Sequence, residues 1–426
     1  MTKKLVLVVI DGLTPAVFET AVEGRSAPTL AALAGAGSYA RALSAFPSLT
    51  PVCLASLATG GGPDVHHIPH LVWYHRDERR VVEYGSSFGA MRAAGTRRAI
   101  KDAIVEMNAE HLSTDAVTVY EALEDDGVVT AAVNVPCYRG RTRHAPTLRG
   151  VVRPVNGPRR FFYYNLFESD VTGAPLAVRG RALGSIDAYA AAVGRWLVTR
   201  DGFDFLFFYL PDYDFASHAL GPAGADEALA RSDAAVGGLV EAAGGLDAFL
   251  DRYDVVLCSD HGQTHVDRAV RLQDLVADQQ AIVTASNRAG MVYLDGDARP
   301  LAERLARSDA IGVALFREGE TAYAIRGEEL VELAAEDGDW RGRSWHALAN
   351  PKAGDVIVSA ARGAEFTDLG GRHHVGGGSH GSLDDGDSLV PMLVVGDAPP
   401  PASITGVAPL VLKHFGVEAP AYARAA

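Results

Sequence analysis

Cysteine is scarce in this sequence, whose 426 residues include three, Cys53, Cys137 and Cys258. An odd number of cysteines without paired spacing argues against a disulfide framework and is typical of reduced thiols in a cytosolic protein. We therefore expect a cytoplasmic protein.

Long hydrophobic runs are also lacking. The first apolar stretch, Leu5–Ile10, stops at Asp11 and is shorter than the apolar region of a signal peptide. No segment reaches the roughly 20 apolar residues that a membrane-spanning helix needs. The sequence thus predicts no membrane partner, and we interpret Leu5–Ile10 as a buried strand.

Positive charge is in deficit, with 39 Lys and Arg against 53 Asp and Glu and a formal net charge of −14. This balance argues against a protein that binds nucleic acid through a broad basic surface. It leaves room for a small anionic substrate, because bound metal ions override the overall charge locally.

Short apolar segments alternate with alanine-rich segments along the chain. Continuous apolar runs indicate strands buried on both faces, and alternation with helices is typical of a doubly wound, mostly parallel α/β sheet. The predicted strands are Leu5–Ile10, Val128–Val133, Phe203–Leu210, Val255–Cys258 and Met392–Val395, and the predicted helices Thr29–Gly35, Ile186–Thr199, Ala225–Ala243 and Pro409–Phe415. We expect one domain over residues 1–426, with the less regular ranges 61–160 and 282–371 as inserted cap segments.

Polar side chains follow three of the predicted strands directly. Asp11 ends the first, Asp212 and Asp214 follow the third, and Asp260 and His261 follow the fourth. Ligands of such sheets bind beyond the carboxyl ends of the strands. Three strands that deliver carboxylates or imidazoles to one edge predict a shared site there.

Two further histidines extend this set. His218 lies four residues after Asp214, so the two share one face of a helix. His380 lies in the glycine-rich segment GGGSHG, where glycines allow the backbone to approach a ligand closely. With Asp11, Asp260 and His261, these residues supply carboxylate and imidazole ligands for two metal ions, zinc by preference, with manganese or iron as alternatives.

The segment FPSLTPVCLASLATG predicts the nucleophile of such a site. Pro51 suits the first position of a helix, which places Thr50 at the N-cap. We expect this helix to end near Thr59, where glycines follow. A helix N-terminus offers amide donors to phosphate, and a metal-bound hydroxyl there can attack phosphorus. Ser44 and Ser48 are the competing hydroxyls.

These segments resemble the alkaline phosphatase superfamily and, within it, the type I phosphodiesterase/nucleotide pyrophosphatase family. The matching segments, in the family's order, are VLVVIDG, FPSLTPVCLASLATG, YLPDYDFASHALGP, CSDHGQT and GGSHG. The resemblance implies one zinc ion on Asp214, His218 and His380, and another on Asp11, Thr50, Asp260 and His261. It also implies a covalent phospho-threonine at Thr50, and Asp212 is the alternative to Asp214.

Two departures from the family pattern concern the substrate. Many diesterases of the family place an asparagine near the nucleophile, but the Thr50 helix has none, and its nearest polar residue is Cys53. The segment after the helix is also altered, which makes His66, His67 and His70 candidates for substrate contact. We name Cys53, His66 and His67 as expected substrate-binding residues.

The function expected is hydrolysis of a small organic phosphate by a phosphodiesterase or pyrophosphatase. No Lys or Arg adjoins a metal motif, which favours diesters over the more highly charged monoesters. The alternatives are a phosphomonoesterase or a phosphonoacetate-type C–P hydrolase, and a non-catalytic binding protein on the same fold.

Overall fold

A large central sheet organises the molecule. The structure is a computed structural model that describes residues 3–147, 152–169, 185–278 and 280–423. Within these residues the sheet has eight strands, in the order Ser38–Leu43, Leu389–Val395, Tyr253–Cys258, Lys4–Ile10, Phe205–Leu210, Thr130–Val133, Arg160–Tyr163 and Phe167–Ser169. The five strands from Tyr253–Cys258 to Arg160–Tyr163 are parallel, and the outer ones pair antiparallel. The predicted mostly parallel sheet is therefore confirmed.

Both faces of this sheet are buried, which explains the unbroken apolar runs. Along Lys4–Ile10, Leu7 and Val9 belong to one hydrophobic core, whereas Val8 and Ile10 belong to another. Successive side chains of a strand point to opposite faces, so each face needs its own helical cover. The fold is doubly wound, as the sequence predicts.

Helices cover the two faces close to their predicted positions. The first core includes residues from the helices Thr50–Thr59, Val119–Asp125 and Val407–His414. The second includes residues from Pro15–Glu23, Pro28–Ala36, Ile186–Thr199, Asp226–Ala243 and Leu246–Arg252. Thr14 caps the helix Pro15–Glu23, because its hydroxyl accepts a hydrogen bond from the Val17 amide at 3.3 Å. Among the described helices, none is both long and apolar enough to cross a membrane.

The range 282–371 is more regular than its sequence suggests. It holds most of a second sheet, six-stranded within the described residues, with a core of its own. In sheet order the strands are Ala281–Ser286, Ala289–Leu294, Val356–Ala360, Ile311–Glu318, Thr321–Arg326 and Glu329–Leu333. The helices Arg299–Ala306 and Trp340–Ala349 accompany them.

The range 61–160 combines short elements with one strand of the central sheet, Thr130–Val133, and ends at the first residue of another, Arg160–Tyr163. Residues 148–151 of this range lie outside the described part of the chain. The short elements are the helices Pro63–His66, Phe88–Ala94 and Thr96–Lys101, the π-helix Asp102–His111, and the strand pairs Val72–His75 with Arg80–Glu83 and Thr142–His144 with Val155–Gly157. The helices Asp212–Leu220 and Asp385–Ser388 and the strand pair Thr264–His265 with Gly378–Ser379 complete the loops that carry the polar residues. The helix Leu272–Leu275 and the strand pair Arg268–Val270 with Ala364–Phe366 contribute to the core of the second sheet.

A fully buried ion pair joins the second sheet to the loops at the central sheet's edge. Arg288 donates to both carboxylate oxygens of Asp387 at 2.8 and 2.9 Å, and both side chains have no exposed surface. The Arg288 amide donates to the His380 carbonyl at 2.8 Å, and the Gly262 amide donates to the Asp387 carbonyl at 2.9 Å. The pair therefore braces the loops that carry His380 and His261.

Replacement of Arg288 by Met should destabilise the protein by about 3–5 kcal/mol, because it leaves the Asp387 carboxylate buried without its partner. The free energy of unfolding in urea measures this effect. Arg299→Met is the matched control, since its partner Glu303 and Arg299 itself are 42% and 40% exposed and such pairs contribute about 0–1 kcal/mol. Equal destabilisation by the two substitutions would contradict the bracing role.

Candidate active site

The polar residues predicted at the strand ends converge on one point. Asp11 follows the strand Lys4–Ile10, and Asp260 and His261 follow the strand Tyr253–Cys258. His261 Nε2 lies 3.2 Å from Asp11 Oδ1 and 3.5 Å from Asp260 Oδ2. All three residues are buried. The adjacent Asp260 and His261 therefore face the same point.

A second set of ligands lies beside the first. Asp214 and His218 share one face of the helix Asp212–Leu220, with His218 Nε2 3.2 Å from Asp214 Oδ2. His380 Nε2 lies 3.8 Å from Asp214 Oδ1, and the His380 ring stacks on His261 with 3.7 Å between centroids. Potential ligand atoms form two groups, each within 4.8 Å: Asp11, Asp260 and His261, and Asp214, His261 and His380. His261 belongs to both, so the two groups adjoin.

Backbone carbonyls orient the three imidazoles. The Nδ1 atom of His218 bonds the Gly378 carbonyl at 2.8 Å, that of His380 bonds the Ser48 carbonyl at 2.8 Å, and that of His261 bonds the Gly262 carbonyl at 3.1 Å. A carbonyl only accepts, so Nδ1 carries the proton and Nε2 keeps its lone pair. Metal-binding histidines are held in this way.

Charge in the site is unbalanced without a cation. Burial and the neighbouring carboxylates Asp260 and Asp214 raise the pKa of Asp11 well above its usual value. Burial also raises the pKa of Asp260, whereas His218 and the other histidines, when they carry a second proton in place of a metal ion, lower the pKa of Asp214 despite burial. Asp11 Oδ1 and Asp260 Oδ2 are buried without a hydrogen-bond partner among the described residues. These residues fit metal ions, which would supply the missing positive charge.

Thr50 lies at the mouth of this site, one position further into its helix than predicted. The Leu49 carbonyl accepts from the Cys53 amide at 3.0 Å, so Leu49 is the N-cap and Thr50 the first helical residue. The Thr50 hydroxyl makes no capping bond and instead lies 3.1 Å from His261 Nε2. The helix ends at Gly60 in the left-handed conformation, as the glycines predict.

The competing hydroxyls are engaged elsewhere. Ser44 Oγ donates to the Asp260 carbonyl at 2.5 Å, and Ser48 Oγ donates to the Ser382 carbonyl at 2.9 Å. Both serines are buried, whereas Thr50 lines the cavity of about 410 Å³ that leads to the site. Of these three hydroxyls, only that of Thr50 faces space that a substrate can occupy.

Glycines admit the close approaches on which the site depends. Gly12 has a φ of +70°, and a Cβ there would lie 2.8 Å from Asp214 Oδ1. A Cβ on Gly377 would lie 2.1 Å from the His218 carbonyl oxygen. A side chain at either position would therefore push the ligand-bearing segments apart.

Several site residues escaped the sequence analysis. The Tyr209 hydroxyl donates to Asp11 Oδ2, and Gln263 Nε2 donates to Asp214 Oδ1. Asn287 lines the cavity and donates from Nδ2 to His380 Nε2 at 3.1 Å. Gln263 stands within the CSDHGQT motif and could have been found there. Asn287 comes from the second sheet, so no nearby motif pointed to it.

The expected substrate-binding residues do not line the cavity. Cys53 is fully buried with its sulfur 3.2 Å from Ser44 Oγ, and burial raises the pKa of its thiol. His66 is fully buried between Ser56 Oγ at 3.1 Å and the Ile68 amide at 3.1 Å, and burial lowers its pKa to about 3. His67 is a helix C-cap with a φ of +62°, and His70 is buried and bonds the Val72 amide. Packing and local hydrogen bonds thus engage the side chains of Cys53, His66 and His70. His67 is half-buried and uses its backbone amide as the cap, so its contact with a substrate stays a prediction.

Asp212, the alternative to Asp214, caps a helix instead. Its carboxylate accepts from the Ser185 hydroxyl and from the Ile186 amide, the latter at 3.1 Å, at the start of the helix Ile186–Thr199. The Asp212 amide in turn donates to the buried Asp187 at 3.2 Å. Burial raises the pKa of Asp187 to about 7, and the charge of Asp212 adds to this shift.

Asp187→Asn should therefore stabilise the protein above neutral pH. The protonated Asp187 favours folding, so its contribution is complete below the ordinary pKa near 3.8 and is lost as the pH rises through about 7. We expect the variant to exceed the wild type by on the order of 2 kcal/mol at pH 8 and by little near pH 4. Urea unfolding across this range measures the difference, and a difference independent of pH would contradict the assignment.

The site and its fold define a class of protein. Two adjoining carboxylate–imidazole groups at the carboxyl edge of a doubly wound sheet, with a hydroxyl beside them, are typical of metal-dependent hydrolases of phosphate esters. The family model described as type I phosphodiesterase / nucleotide pyrophosphatase matches residues 5–383. The chain belongs to this family, a metal-dependent branch of the alkaline phosphatase superfamily, and is a phosphoester hydrolase.

Solved structures agree in fold across nearly the whole chain. Phosphonoacetate hydrolase from Sinorhizobium meliloti 1021, in complex with phosphonoformate, shares 18% identity with a TM-score of 0.65 and covers 97% of this chain and 96% of its own. Murine ectonucleotide pyrophosphatase/phosphodiesterase 5 shares 14% identity with a TM-score of 0.65 and covers 98% and 96%. The human counterpart shares 16% identity with the same coverage and TM-score. No curated protein sequence matches the chain.

Removal of metal should lower the thermal stability of the wild type. A divalent cation at about 100 times its dissociation constant stabilises the folded state by about 2.7 kcal/mol, which differential scanning calorimetry detects after chelation and re-addition. Asp260→Asn should lose most of this response because it removes a buried ligand. Asp77→Asn, on an exposed turn, is the control and should respond like the wild type. An undiminished response of Asp260→Asn would remove Asp260 from the metal ligands.

Proposed function

We propose that this enzyme is a two-zinc phosphodiesterase or pyrophosphatase that attacks a small organic phosphate with Thr50. One observation supports the proposal above the others: the Thr50 hydroxyl lies 3.1 Å from Nε2 of His261, the residue that both ligand groups share. A hydroxyl in this position is next to any ion that the groups hold and is open to the cavity.

The ligand spacing supports zinc. Ligands about 2.0–2.2 Å from a tetrahedral zinc ion lie about 3.3–3.6 Å apart. The Nε2–oxygen distances are 3.2 Å between His218 and Asp214, and 3.2 and 3.5 Å from His261 to Asp11 and Asp260, close to these values. The distance between His380 and Asp214 is slightly longer, 3.8 Å. We assign one zinc to Asp214, His218 and His380, and the other to Asp11, Thr50, Asp260 and His261. Manganese accepts the same donor types, and metal analysis of the purified protein distinguishes the two.

The residues of the chain suggest the course of the reaction. Two bound cations would stabilise negative charge on the attacking and leaving oxygens. Thr50 loses its hydroxyl proton to water in the cavity, and its Oγ1 forms a bond to phosphorus while the ester oxygen departs with the bonding electrons. Water then attacks the phospho-threonine and restores the hydroxyl. Tyr209 keeps Asp11 in place, and Gln263 keeps Asp214 in place.

The cavity favours a small substrate. Its volume of about 410 Å³ suits a single organic phosphate, and the net charge of −14 argues against nucleic acid. The murine relative has been solved as an inactive variant in complex with AMP, and the bacterial one with phosphonoacetate. Hydrolysis of a phosphonate C–P bond is the second candidate, favoured by the likeness to the bacterial enzyme.

Two further assignments remain part of the proposal. We assign the cap to the range 61–160, because Tyr84, Phe88 and Met107 of this range line the cavity, whereas the range 282–371 contributes Asn287. We assign the protein to the cytoplasm, because its three cysteines are buried and free.

Thr50→Ala should lower the hydrolysis rate of an aryl phosphodiester at least about 1,000-fold, because the competing hydroxyls of Ser44 and Ser48 do not line the cavity and that of Tyr209 is bonded to Asp11. Thr50→Ser should retain part of the activity and should accumulate a covalent phosphoserine after acid quenching, detectable by mass spectrometry. Metal content is measured in parallel, so that loss of chemistry is separated from loss of zinc. Full activity of a metal-loaded Thr50→Ala variant would exclude Thr50 as the nucleophile.

A further inference from the structure

One arginine enters the cavity that leads to the metal groups. Among the described residues that line this cavity, Arg372 is the only lysine or arginine. Arg372 does not adjoin a metal motif in the sequence, because it lies eight residues before His380. The loop that precedes the GGGSHG segment folds back over the site and brings Arg372 to it. Diesters were favoured over monoesters because no Lys or Arg adjoins a metal motif, and the position of Arg372 in the cavity removes that reason.

The guanidinium of Arg372 is free to bind an anion. Its side chain is exposed, and among the described residues no carboxylate lies within 4.0 Å of it and no hydrogen bond engages it. Two other arginines of the same part of the chain are paired, Arg288 with Asp387 and Arg268 with Asp309. An unpaired cation in the site cavity of a strongly acidic protein attracts anionic ligands locally.

The loop holds Arg372 in place on both sides. Asp368 accepts from the Arg372 amide at 2.8 Å and from the Gly370 amide at 2.8 Å, which fixes the turn before Arg372. On the other side, the buried Glu365 accepts from His374 Nδ1 at 3.1 Å and from the His374 amide. The loop is therefore tied down by two carboxylates, neither of which is within salt-bridge distance of the guanidinium.

The same loop lies against the metal ligands. The His374 ring stacks on His218 with 4.1 Å between centroids and lines the cavity with Arg372. Two residues of chain span at most about 7 Å, so the Cα atom of Arg372 lies within about 7 Å of the Cα atom of His374. His374 in turn contacts the proposed metal ligand His218. A small molecule with its phosphoryl group at Thr50 can therefore place a second group at Arg372.

We propose that Arg372 determines substrate specificity by binding a second anionic group of the substrate, a carboxylate or a phosphate, in the cavity that Thr50 also lines. This inference rests on the proposed function for the position of the phosphoryl group. Arginine suits the task, because its planar guanidinium donates two parallel hydrogen bonds to a carboxylate or a phosphate. The substrate class is thus an organic phosphate or phosphonate with an additional negative charge, rather than an otherwise neutral diester.

Three matched p-nitrophenyl alkyl phosphodiesters test this proposal. Their alkyl arms end in a carboxylate, a phosphate or a neutral carboxamide, and the reacting group is the same in all three. With the zinc-loaded wild type we expect kcat/KM for one charged arm to exceed that for the carboxamide by about 10- to 100-fold, the effect of a charge-assisted hydrogen bond. The arm with the larger ratio identifies the second group as carboxylate or phosphate.

Arg372→Met should reduce that ratio to near 1, mainly through KM, and Arg372→Lys should restore only part of it because lysine lacks the paired donors. Arg362→Met, at an exposed arginine of the same region that does not line the cavity, should keep the wild-type ratio. A wild-type ratio near 1 for both charged arms, or a ratio that Arg372→Met leaves intact, would overturn the proposal.

Calorimetric titration separates this inference from the proposed function. The zinc-loaded Thr50→Ala variant is titrated with phosphonate analogues of the three compounds, with and without the additional Arg372→Met substitution. Tighter binding of a charged arm that depends on Arg372 supports the inference even if the wild type hydrolyses none of the esters, an outcome that would sink the proposed function alone. Equal affinities for all three analogues would refute the role of Arg372.

Discussion

Three carboxylates, Asp11, Asp214 and Asp260, are buried side by side at the carboxyl edge of the central sheet, and the organisation of the site follows from their repulsion. Unpaired buried charge is among the most costly features a fold can contain. The surroundings respond with donors, such as the Tyr209 hydroxyl, the Gln263 amide group and the Gly12 backbone amide. These donors are neutral and compensate only in part, which leaves a strong demand for cations.

Different parts of the fold position the segments that carry the candidate metal ligands. Asp11 and Asp260 follow two adjacent parallel strands, which pair from Lys4 with Tyr253 to Val9 with Cys258. His380 comes from a loop without such support, and the buried Arg288–Asp387 pair with the Arg288 amide holds that loop from the second sheet. The second sheet is therefore part of the site's scaffold as well as a neighbouring layer.

Much of the fold and of the ligand set could be predicted from the sequence, because both leave local patterns. An apolar run followed by Asp11 or Asp260 indicates both a buried strand and the polar residue at its carboxyl end. Arg372 and Asn287 could not be predicted, since a loop fold and a strand of the other sheet bring them to the cavity. His66 and His67 were expected to contact the substrate because of their position after the Thr50 helix. A position in the sequence does not say whether a side chain packs inward, and His66 is fully buried.

The position of His261 in both ligand groups has a consequence for how the site fills. The Nε2 atom of His261 has one lone pair and can bind an ion of only one group at a time, and the proposed assignment gives it to the group of Asp11 and Asp260. An ion bound there would withdraw the imidazole from the other group and would also offset part of the repulsion between these carboxylates and Asp214. The affinity of either group for a cation therefore depends on whether the other group is occupied, and linkage makes this influence mutual.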